Sequence, residues 1–593
     1  MRKVKFAVFA FVFFVFAFGA NADVLGQGQR FFISPQYDGQ SRTWVNATLR
    51  YVSEKVYFYV ENDYWNSISE AVRSQNLSQI EDLAREFDTR IYPIETGFFG
   101  SEPNPGIDND PRITVLLTPL IEHAGGYFDT TNEQSVAEVP NSNQREIIYI
   151  NTNSLADKNK IYTFLDHEFQ HLISFNQKEK LRGVSDDIWL NELRSEYAST
   201  LLGYNEIYEG SHLQRRIGAL LGDPSDSLTE WKNLTADYGQ IGLFGEYIAE
   251  HFSPQVIADT LKNKSAGFNS LAESLTANGY PGTFLDIYRD WLIANFLNDS
   301  VLDPKFSYSR SDLGGLHVSA TQTITELGDN TVLAISDSIK DWQGRWYDIS
   351  QLQSGAKNVL KIDFNSPSLA SFYISYLVFG TDGKYLAYDF NPTPSSNALY
   401  IPNIGSDAGR IVLMPIKKDK LAGFSSNEPT IPFTISFERV ASVPLAAAAP
   451  NPILTPISSV AVNNSQLEPG TYNLKPSFSG GSLLRARGDS KVYVINGSWR
   501  RHIINSRIFG FYPGLGFEKV TEVEPEVLYQ YRESNLIRPD GSQRVYEVDP
   551  RGVRHWLNIS GEQFTSSGRS WEAIFMVNSS ELNYYSLGQS ILK

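Results

Sequence analysis

The chain has 593 residues, and its 67 acidic side chains against 51 basic ones give a net charge of −16. This excess argues against sequence-independent binding to nucleic acid or to an anionic membrane. The chain contains no cysteine, which excludes disulfide bonds and thiolate ligands and leaves His, Asp and Glu as the side chains able to bind a metal.

The N-terminus has the pattern of a signal peptide covering residues 1–22. Basic residues between positions 2 and 5 precede an apolar run, Phe6 to Phe18, and Ala20-Asn21-Ala22 provides a small-x-small cleavage site. The apolar run is shorter than the ~20 residues that a membrane-spanning helix needs. We therefore expect export from a bacterial cell without a transmembrane anchor. Retention at the cell surface by other means stays open.

Residues 23–150 are predicted to be mostly strands. Alternating apolar residues indicate β structure over 29–66, and a helix follows from Ser67 to Phe87. Asp108 and Asp110 could bind calcium, although a turn before Pro111 is the favoured interpretation. Three further runs have the composition of strands, namely Arg112–Thr118, Gly125–Phe128 and Glu146–Ile150.

The string His167-Glu168-Phe169-Gln170-His171 carries most of the functional information. Residues four apart lie on one face of a helix, so the two histidines can present their imidazoles to a single ion. Hydrolytic zinc takes three protein ligands and leaves one position for water. Glu192 can be the third ligand if a second helix packs against the first. Glu168 lies about 100° around the helix from His167, where its carboxylate can take a proton from that water.

The two helices are predicted from periodicity and capping signals. The first begins near Asp157 or Asn159 and ends near Gln177, and the second begins after Ser185-Asp186-Asp187 and ends at Gly203. More helices are expected at 212–221, 238–251, 254–263, 267–277 and 281–297.

The rest of the chain is predicted to be β-rich. Seven short β runs between residues 301 and 440 indicate a β-sandwich. An Ala- and Pro-rich stretch opens a linker, assigned to 441–480. Beyond it, Val492-Tyr493 and Arg501-His502 recur as Val545-Tyr546 and Arg554-His555 at an offset of 53, and later residues recur at 54. The pattern predicts two repeat modules, 481–537 and 538–593.

The motif has a family resemblance. HEFQH followed by Asn191-Glu192-x-x-x-Glu196 resembles the glutamate-ligand zincins, the thermolysin-like group. The segments WLNELRSEYAS and FDTRIYPIETGFFGSEPNPGIDNDPRITVLL resemble the hyicolysin family of secreted bacterial metallopeptidases, over about residues 29–300. The resemblance implies that His167, His171 and Glu192 bind zinc and that Glu168 is the general base. It also implies that Glu196 orients a ligand histidine, and that an edge strand beside the cleft holds the substrate. Leu193 departs from the family, which often has Gly there.

The predicted fold class is multidomain α+β, with a zincin-type peptidase domain at 23–300, the sandwich at 301–440 and the two modules. The predicted function is a secreted zinc endopeptidase acting on peptide or protein substrates. Tyr238 is the first candidate to stabilise the oxyanion, ahead of His251 and His123, although a packed aromatic is the favoured reading of Tyr238. Two alternatives stay open: a catalytically silent zincin that binds a surface, and a zinc hydrolase acting on other substrates. The modules have no assigned ligand, and a cell surface or polymer is a guess from their position.

Overall fold

The computed structural model describes residues 22–280, 283–444 and 451–452, and most of 481–592. Within that last stretch it leaves out 488–490, 497–498, 513–515, 524–527, 529–530, 540–541, 550 and 568. Residues 1–21 of the predicted signal peptide and most of the predicted linker therefore lie outside the described residues. The chain divides into two units, 1–459 and 460–593.

The first unit begins with a six-stranded sheet that has helices on one face. Its strand order is β1-β2-β3-β4-β6-β5, with β3, β4 and β6 parallel to one another and the remaining pairs antiparallel. The central strands β3 and β4 are buried along their whole length, as their continuous apolar runs predict. The short strand β5 forms one edge. The strands are β1 (Gly28–Phe32), β2 (Trp44–Val52), β3 (Val56–Glu61), β4 (Ile113–Thr118), β5 (Gly126–Phe128) and β6 (Ile147–Asn151).

Ten helices pack on and beyond this sheet within the described part of the first unit. The predicted helix with HEFQH is α4, whose N-cap Asp157 accepts a hydrogen bond from the Lys160 N–H, and a π-helical turn, Phe175–Lys180, continues it. The helices are α1 (Asn62–Ser67), α2 (Glu70–Glu86), α3 (Tyr92–Phe99), α4 (Lys158–Ser174), α5 (Ile188–Leu201), α6 (His212–Gly222), α7 (Thr235–His251), α8 (Pro254–Asp259), α9 (Gly267–Ala277) and α10 (Phe284–Leu297).

Two further sheets follow, as the β-rich pattern between 301 and 440 predicts. One has the order β13-β10-β15-β8 and the other β16-β12-β11-β14-β9-β7, and buried residues from both form one core. The strands β7 and β13 were not among the seven predicted, and β16 lies in the stretch predicted to be a linker. The strands are β7 (Gln322–Ile324), β8 (Val332–Ile339), β9 (Tyr347–Ile349), β10 (Val359–Asn365), β11 (Phe372–Phe379), β12 (Tyr385–Phe390), β13 (Ala398–Ile401), β14 (Arg410–Lys417), β15 (Ile431–Val440) and β16 (Asn451–Pro452).

The six-stranded sheet of this pair is covered on both faces. Leu377, Val412 and Met414 point away from the sandwich core and belong to the same apolar cluster as the helices around α4 and α5. Trp342 joins them, with its ring 4.7 Å from that of Phe268. The boundary predicted at residue 300 is thus a change in secondary structure within one unit.

The second unit contains two five-stranded sheets with the same connections. Their orders are β20-β17-β18-β19-β21 and β25-β22-β23-β24-β26, and corresponding pairs are parallel or antiparallel alike. The strands are β17 (Leu483–Ala486), β18 (Tyr493–Asn496), β19 (Trp499–His502), β20 (Val520–Val523), β21 (Arg532–Glu533), β22 (Leu536–Pro539), β23 (Tyr546–Val548), β24 (Val553–Trp556), β25 (Phe575–Val577) and β26 (Ser586–Leu587). Two short helices, α11 (Gly561–Ser566) and α12 (Ser579–Tyr584), lie in the second half.

The register of these sheets corrects the predicted alignment of Arg501-His502 with Arg554-His555. Tyr493 pairs with His502, whereas Tyr546 pairs with Trp556, so the offset is already 54 at this strand. The extra residue therefore lies between β23 and β24 and not after His555. In addition, the boundary predicted between 537 and 538 falls inside β22.

No helix among the described residues is long and apolar enough to cross a membrane.

The shared core predicts that the β-rich region stabilises the helical half. Trp342 is 1% exposed and also packs against Phe284 and Tyr288. We expect Trp342→Ala to lower the free energy of unfolding of the first unit by about 3–5 kcal/mol, the usual cost of emptying a large aromatic site. Urea titration followed by circular dichroism would measure it. Trp571→Ala is the control, because Trp571 is 52% exposed and lies in the other unit. Equal losses in both variants would contradict the shared core.

Candidate metal centre

Three side chains converge where α4 and α5 pack together. The Nε2 atoms of His167 and His171 are 3.2 Å apart. The Glu192 Oε2 atom lies 3.2 Å from the first and 3.5 Å from the second. These residues form a group that could hold a metal ion, with ligand atoms all within 4.8 Å of one another. The predicted ligands therefore lie together, on two helices separated by the turn at 181–187.

The spacing of these atoms fits a small tetrahedral cation. Bonds of about 2.0–2.2 Å to zinc place neighbouring ligand atoms about 3.3–3.5 Å apart, close to the three distances given above. Glu192 Oε2 is also buried without a hydrogen-bond donor, which is costly for a carboxylate oxygen unless a cation faces it. Burial alone would raise the pKa of Glu192, but the neighbouring imidazoles, His171 foremost, lower it to about 2. The donor set of two nitrogens and one oxygen suits zinc.

Each histidine has a second contact through its Nδ1 atom, the ring nitrogen that does not face the candidate metal position. The Nδ1 atom of His167 lies 3.5 Å from Glu196 Oε1, and that of His171 lies 3.2 Å from Ser195 Oγ. The Ser195 hydroxyl in turn donates to Gln170 Oε1 at 2.7 Å. Such contacts fix the ring orientation and tautomer of metal-binding histidines. Glu196 therefore lies behind His167, and Ser195, which the sequence analysis did not name, lies behind His171.

Glu196 is held by two side chains of α6 that the sequence reading also missed. His212 Nε2 is 2.6 Å from Glu196 Oε2, and the Arg216 guanidinium donates to both carboxylate oxygens at 2.7 Å. Burial would raise the pKa of Glu196, but the charges of Arg216 and His212 hold it well below its usual value. The carboxylate therefore stays ionised although it is only 5% exposed.

Glu168 lies beside the cluster and under the edge strand β5. A Cβ atom on Gly126 would stand 2.8 Å from Glu168 Cγ, so glycine is required for the strand to approach this closely. Burial raises the pKa of Glu168 to about 8, and the charge of Glu192 adds to the effect, against that of His171. A cation at the neighbouring ligands would favour the ionised form.

Two tyrosines lie near the cluster. The ring of Tyr238 is 6.4 Å from that of His167, its hydroxyl donates to Asn233 Oδ1 at 2.9 Å, and Arg216 covers its face at 4.3 Å. Tyr37 precedes β2 and was missed in the sequence. Its ring stacks on that of Tyr127 in β5 at 4.6 Å, and burial, followed by the charges of Glu168 and Glu192, raises the pKa of Tyr37.

The two histidines considered behind Tyr238 are placed differently. The His251 ring packs on Tyr247, and its Nε2 atom lies 2.9 Å from the carbonyl oxygen of Ser307. His123 is exposed in the connection between β4 and β5. Within the described part of the chain, neither has a contact with His167, His171 or Glu192. Of the three candidates, Tyr238 is the one with a ring contact to a candidate ligand among the described residues, 6.4 Å from the His167 ring.

Comparison with known proteins gives one informative relative. The chain is 25% identical over 241 residues to the neutral metalloprotease ShpI of Staphylococcus hyicus. The match covers 36% of this chain and 52% of that protein, so the chain spans about half the length of the curated relative that it matches. No protein-family model matches the chain. The likeness supports a metalloprotease, a metal-dependent hydrolase, at the level of the family.

Similarity to solved structures adds nothing to this assignment. The periplasmic inhibitors of g-type lysozyme, PliG, from Aeromonas hydrophila and Salmonella Typhimurium are each 10% identical to this chain, with TM-scores of 0.14. They cover 20% of this chain and 95% and 96% of their own. A TM-score this low carries no argument about fold or function.

The contacts of Glu196 predict that Arg216 is a large contributor to stability. Arg216→Met would leave a buried carboxylate without its main counter-charge, which costs about 3–5 kcal/mol in comparable buried pairs. Urea unfolding of the apoprotein would measure the loss. Arg85→Met is the control, because Arg85 is an exposed helical arginine that pairs with Asp82 on α2. A loss below about 1 kcal/mol for Arg216→Met would contradict this account of the network.

Proposed function

We propose that this protein is a zinc-dependent endopeptidase of the hyicolysin-like, thermolysin-like type, exported from a bacterial cell. The observation that carries the proposal is the spacing of the His167, His171 and Glu192 ligand atoms, which fits tetrahedral zinc. The resemblance of the motif and the metalloprotease relative support the same reaction class. The Oε2 atom of Glu192 is buried without a hydrogen-bond donor. This supports a site that binds a cation over a polar cluster with a structural role alone.

The proposed chemistry divides between the ion and the side chains beside it. A zinc ion held at these ligands supplies Lewis acidity toward a water molecule and the scissile carbonyl. Glu168 acts as general base: its carboxylate takes the proton of the attacking water and passes it to the leaving amine nitrogen. The burial of Glu168 beneath β5 keeps its carboxylate beside the ligands, where the proton is released.

Two of the chain's own hydroxyl groups are candidates to donate to the oxyanion. We favour Tyr238, because the Arg216 guanidinium lies over its ring and its hydroxyl has one hydrogen-bond partner among the described residues, the Asn233 side chain. Tyr37 is the second candidate, since its ring stacks on Tyr127 of β5 and the charges of Glu168 and Glu192 act on its hydroxyl. The edge strand β5 has one side free of pairing to another strand among the described residues. It is suited to hold an extended peptide by main-chain hydrogen bonds.

The second unit is proposed to serve attachment. The matched strand orders of its two sheets support two copies of one module, together covering 483–587. A cavity of about 280 Å³ is lined by groups from both sheets, among them Arg501, Asp549 and Tyr585. Such a mixed polar and apolar cavity is compatible with a ligand from a cell surface or polymer.

If Glu168 is the general base, its substitution should abolish turnover and leave metal binding intact. Glu168→Gln should reduce casein hydrolysis by at least a thousandfold, because the amide cannot accept the proton, while zinc content stays near one per chain. His167→Ala and Glu192→Ala should lose both. Zinc would be counted by plasma mass spectrometry alongside the protease assay, with Glu179→Gln as an exposed control. Zinc binding without any peptide hydrolysis by the wild type would favour a silent, surface-binding zincin, and a screen of other substrates would follow.

Phenylalanine variants separate catalytic from packing roles of the two tyrosines. Tyr238→Phe keeps the ring that contacts His167 and Arg216 but removes the hydroxyl. We expect kcat to fall by about 10²–10³ with KM little changed, as for other oxyanion donors. Tyr37→Phe should have a smaller effect. If Tyr238→Phe retains full kcat, Tyr238 is a packed aromatic, which was the favoured reading of the sequence.

A further inference from the structure

A second group of carboxylates lies in the connection between β5 and β6, away from the candidate zinc ligands. Glu133 closes a 3₁₀ turn, Thr130–Glu133, soon after β5, and Glu146 immediately precedes β6. Glu133 is 6% exposed and Glu146 is 2% exposed. Acidic side chains are rarely buried to this degree unless they are paired or bind a metal.

Three of the four oxygens in this pair have no donor. Both carboxylate oxygens of Glu133 and the Oε2 atom of Glu146 are buried without a hydrogen-bond partner. The remaining oxygen, Glu146 Oε1, accepts the Ile107 N–H at 2.8 Å. A Cβ atom on Gly106 would stand 1.6 Å from the Glu146 carboxyl carbon, so glycine allows the chain around Ile107 to lie directly against this carboxylate.

The nearby basic groups do not neutralise the pair. Arg145 directs its Nη1 atom to Asp23 at 2.9 Å and to Thr114 at 3.2 Å, and its Nη2 atom is 3.8 Å from Asp108. Lys180 acts on Glu133 only at longer range, and its side chain is exposed. In the described part of the chain, neither Glu133 nor Glu146 has a basic group within 4 Å. Asp108 adds a third acidic group to the same region.

We propose that Glu133 and Glu146 bind a hard divalent cation, calcium by preference, between their carboxylates. The donors are all oxygen, with no imidazole or thiol, which disfavours zinc and favours calcium or magnesium. Calcium accepts six to eight oxygens in flexible geometry, so main-chain carbonyls and water complete a shell that two carboxylates begin. Magnesium requires a near-ideal octahedron and gives up its water reluctantly, so we expect it to bind more weakly than calcium at this site.

A proton is the competing occupant. Burial, and then the charge of Glu146, raises the pKa of Glu133 to about 9, so an unoccupied pair would share a proton at neutral pH. The two occupants have different consequences. A shared proton makes the protein indifferent to calcium, whereas a bound cation links calcium concentration to stability.

The cation would join the two ends of the β5–β6 connection to the chain around Ile107. Because β5 lies over Glu168, such a site would order the strand that forms one wall of the candidate metal centre. The inference does not depend on the proposed peptidase activity, since its evidence is the unpaired carboxylates alone.

Thermal unfolding of the intact protein tests the proposal. One millimolar CaCl₂ should raise the midpoint of the first unit's transition by about 5 °C relative to calcium-depleted protein, and equilibrium dialysis should count one bound calcium. MgCl₂ at the same concentration should give a smaller rise. His167→Ala should keep the calcium response, which separates this site from the candidate zinc ligands and from any failure of the peptidase assignment.

Variants identify the ligands. Glu133→Gln and Glu146→Gln should each abolish the calcium-induced rise and the bound calcium. Glu133→Gln should also stay folded without calcium, because a neutral amide replaces the carboxyl group and adds no buried charge. Glu138→Gln, an exposed carboxylate in the same connection, should respond like the wild type. A wild type whose midpoint ignores calcium, or a Glu133→Gln variant that keeps the full response, would overturn the proposal in favour of the shared proton.

Discussion

The buried charge of Glu196 is the constraint on which the arrangement of the candidate metal centre depends. A carboxylate that is nearly out of contact with water is tolerated only when its oxygens are matched by donors and by positive charge. Here α4 supplies His167, and α6 supplies His212 and Arg216. Three helices are therefore fixed relative to one another by one side chain. The orientation of the His167 ring follows from the packing of α6, which contributes no candidate ligand itself.

The β-rich region holds the start of α5, the helix that carries Glu192 and Glu196. The Asp187 carboxylate accepts the N–H groups of Gly423 and Phe424. It therefore anchors the start of α5 to a loop more than two hundred residues later, although its position as N-cap predicts a local bond within the helix. Gly267 is required beside it, because its backbone has φ +55° and a Cβ atom there would stand 2.2 Å from Asp187 Oδ2. The position of Glu192, one turn into α5, thus depends on both halves of the first unit.

Sequence patterns predicted the local features of this architecture, but they did not predict its tertiary contacts. The periodicity and caps of α4 and α5, and the i,i+4 spacing of the histidines, depend on neighbouring residues, so they could be predicted together with the candidate ligands. His212 and Arg216 contact Glu196 only because α6 folds back onto α5, and nothing in their local spacing signals it. Ser195 could have been found, since it adjoins Glu196 on the helix that faces His171. The strands β7 and β13 are too short for alternation to distinguish them from turns. The insertion between β23 and β24 was misplaced because a coincidental Arg-His match concealed the register.

Two of the buried carboxylate groups of the first unit, Glu192 and the pair Glu133 and Glu146, differ in what surrounds them, and the difference determines which cation each would select. Glu192 shares its site with two imidazoles, and nitrogen donors bind zinc much more strongly than they bind calcium. Glu133 and Glu146 offer oxygen alone, for which calcium is the better match in number and flexibility of ligands. The donor sets accordingly suit the proposed occupants, calcium at the all-oxygen pair and zinc at the mixed site. In a chain without cysteine, whose export would expose it to unfolding without disulfide bonds, cations that bind the folded state alone stabilise it by mass action. At these two sites the unpaired carboxylate oxygens lower the stability of the cation-free protein, and a bound cation would remove that destabilisation.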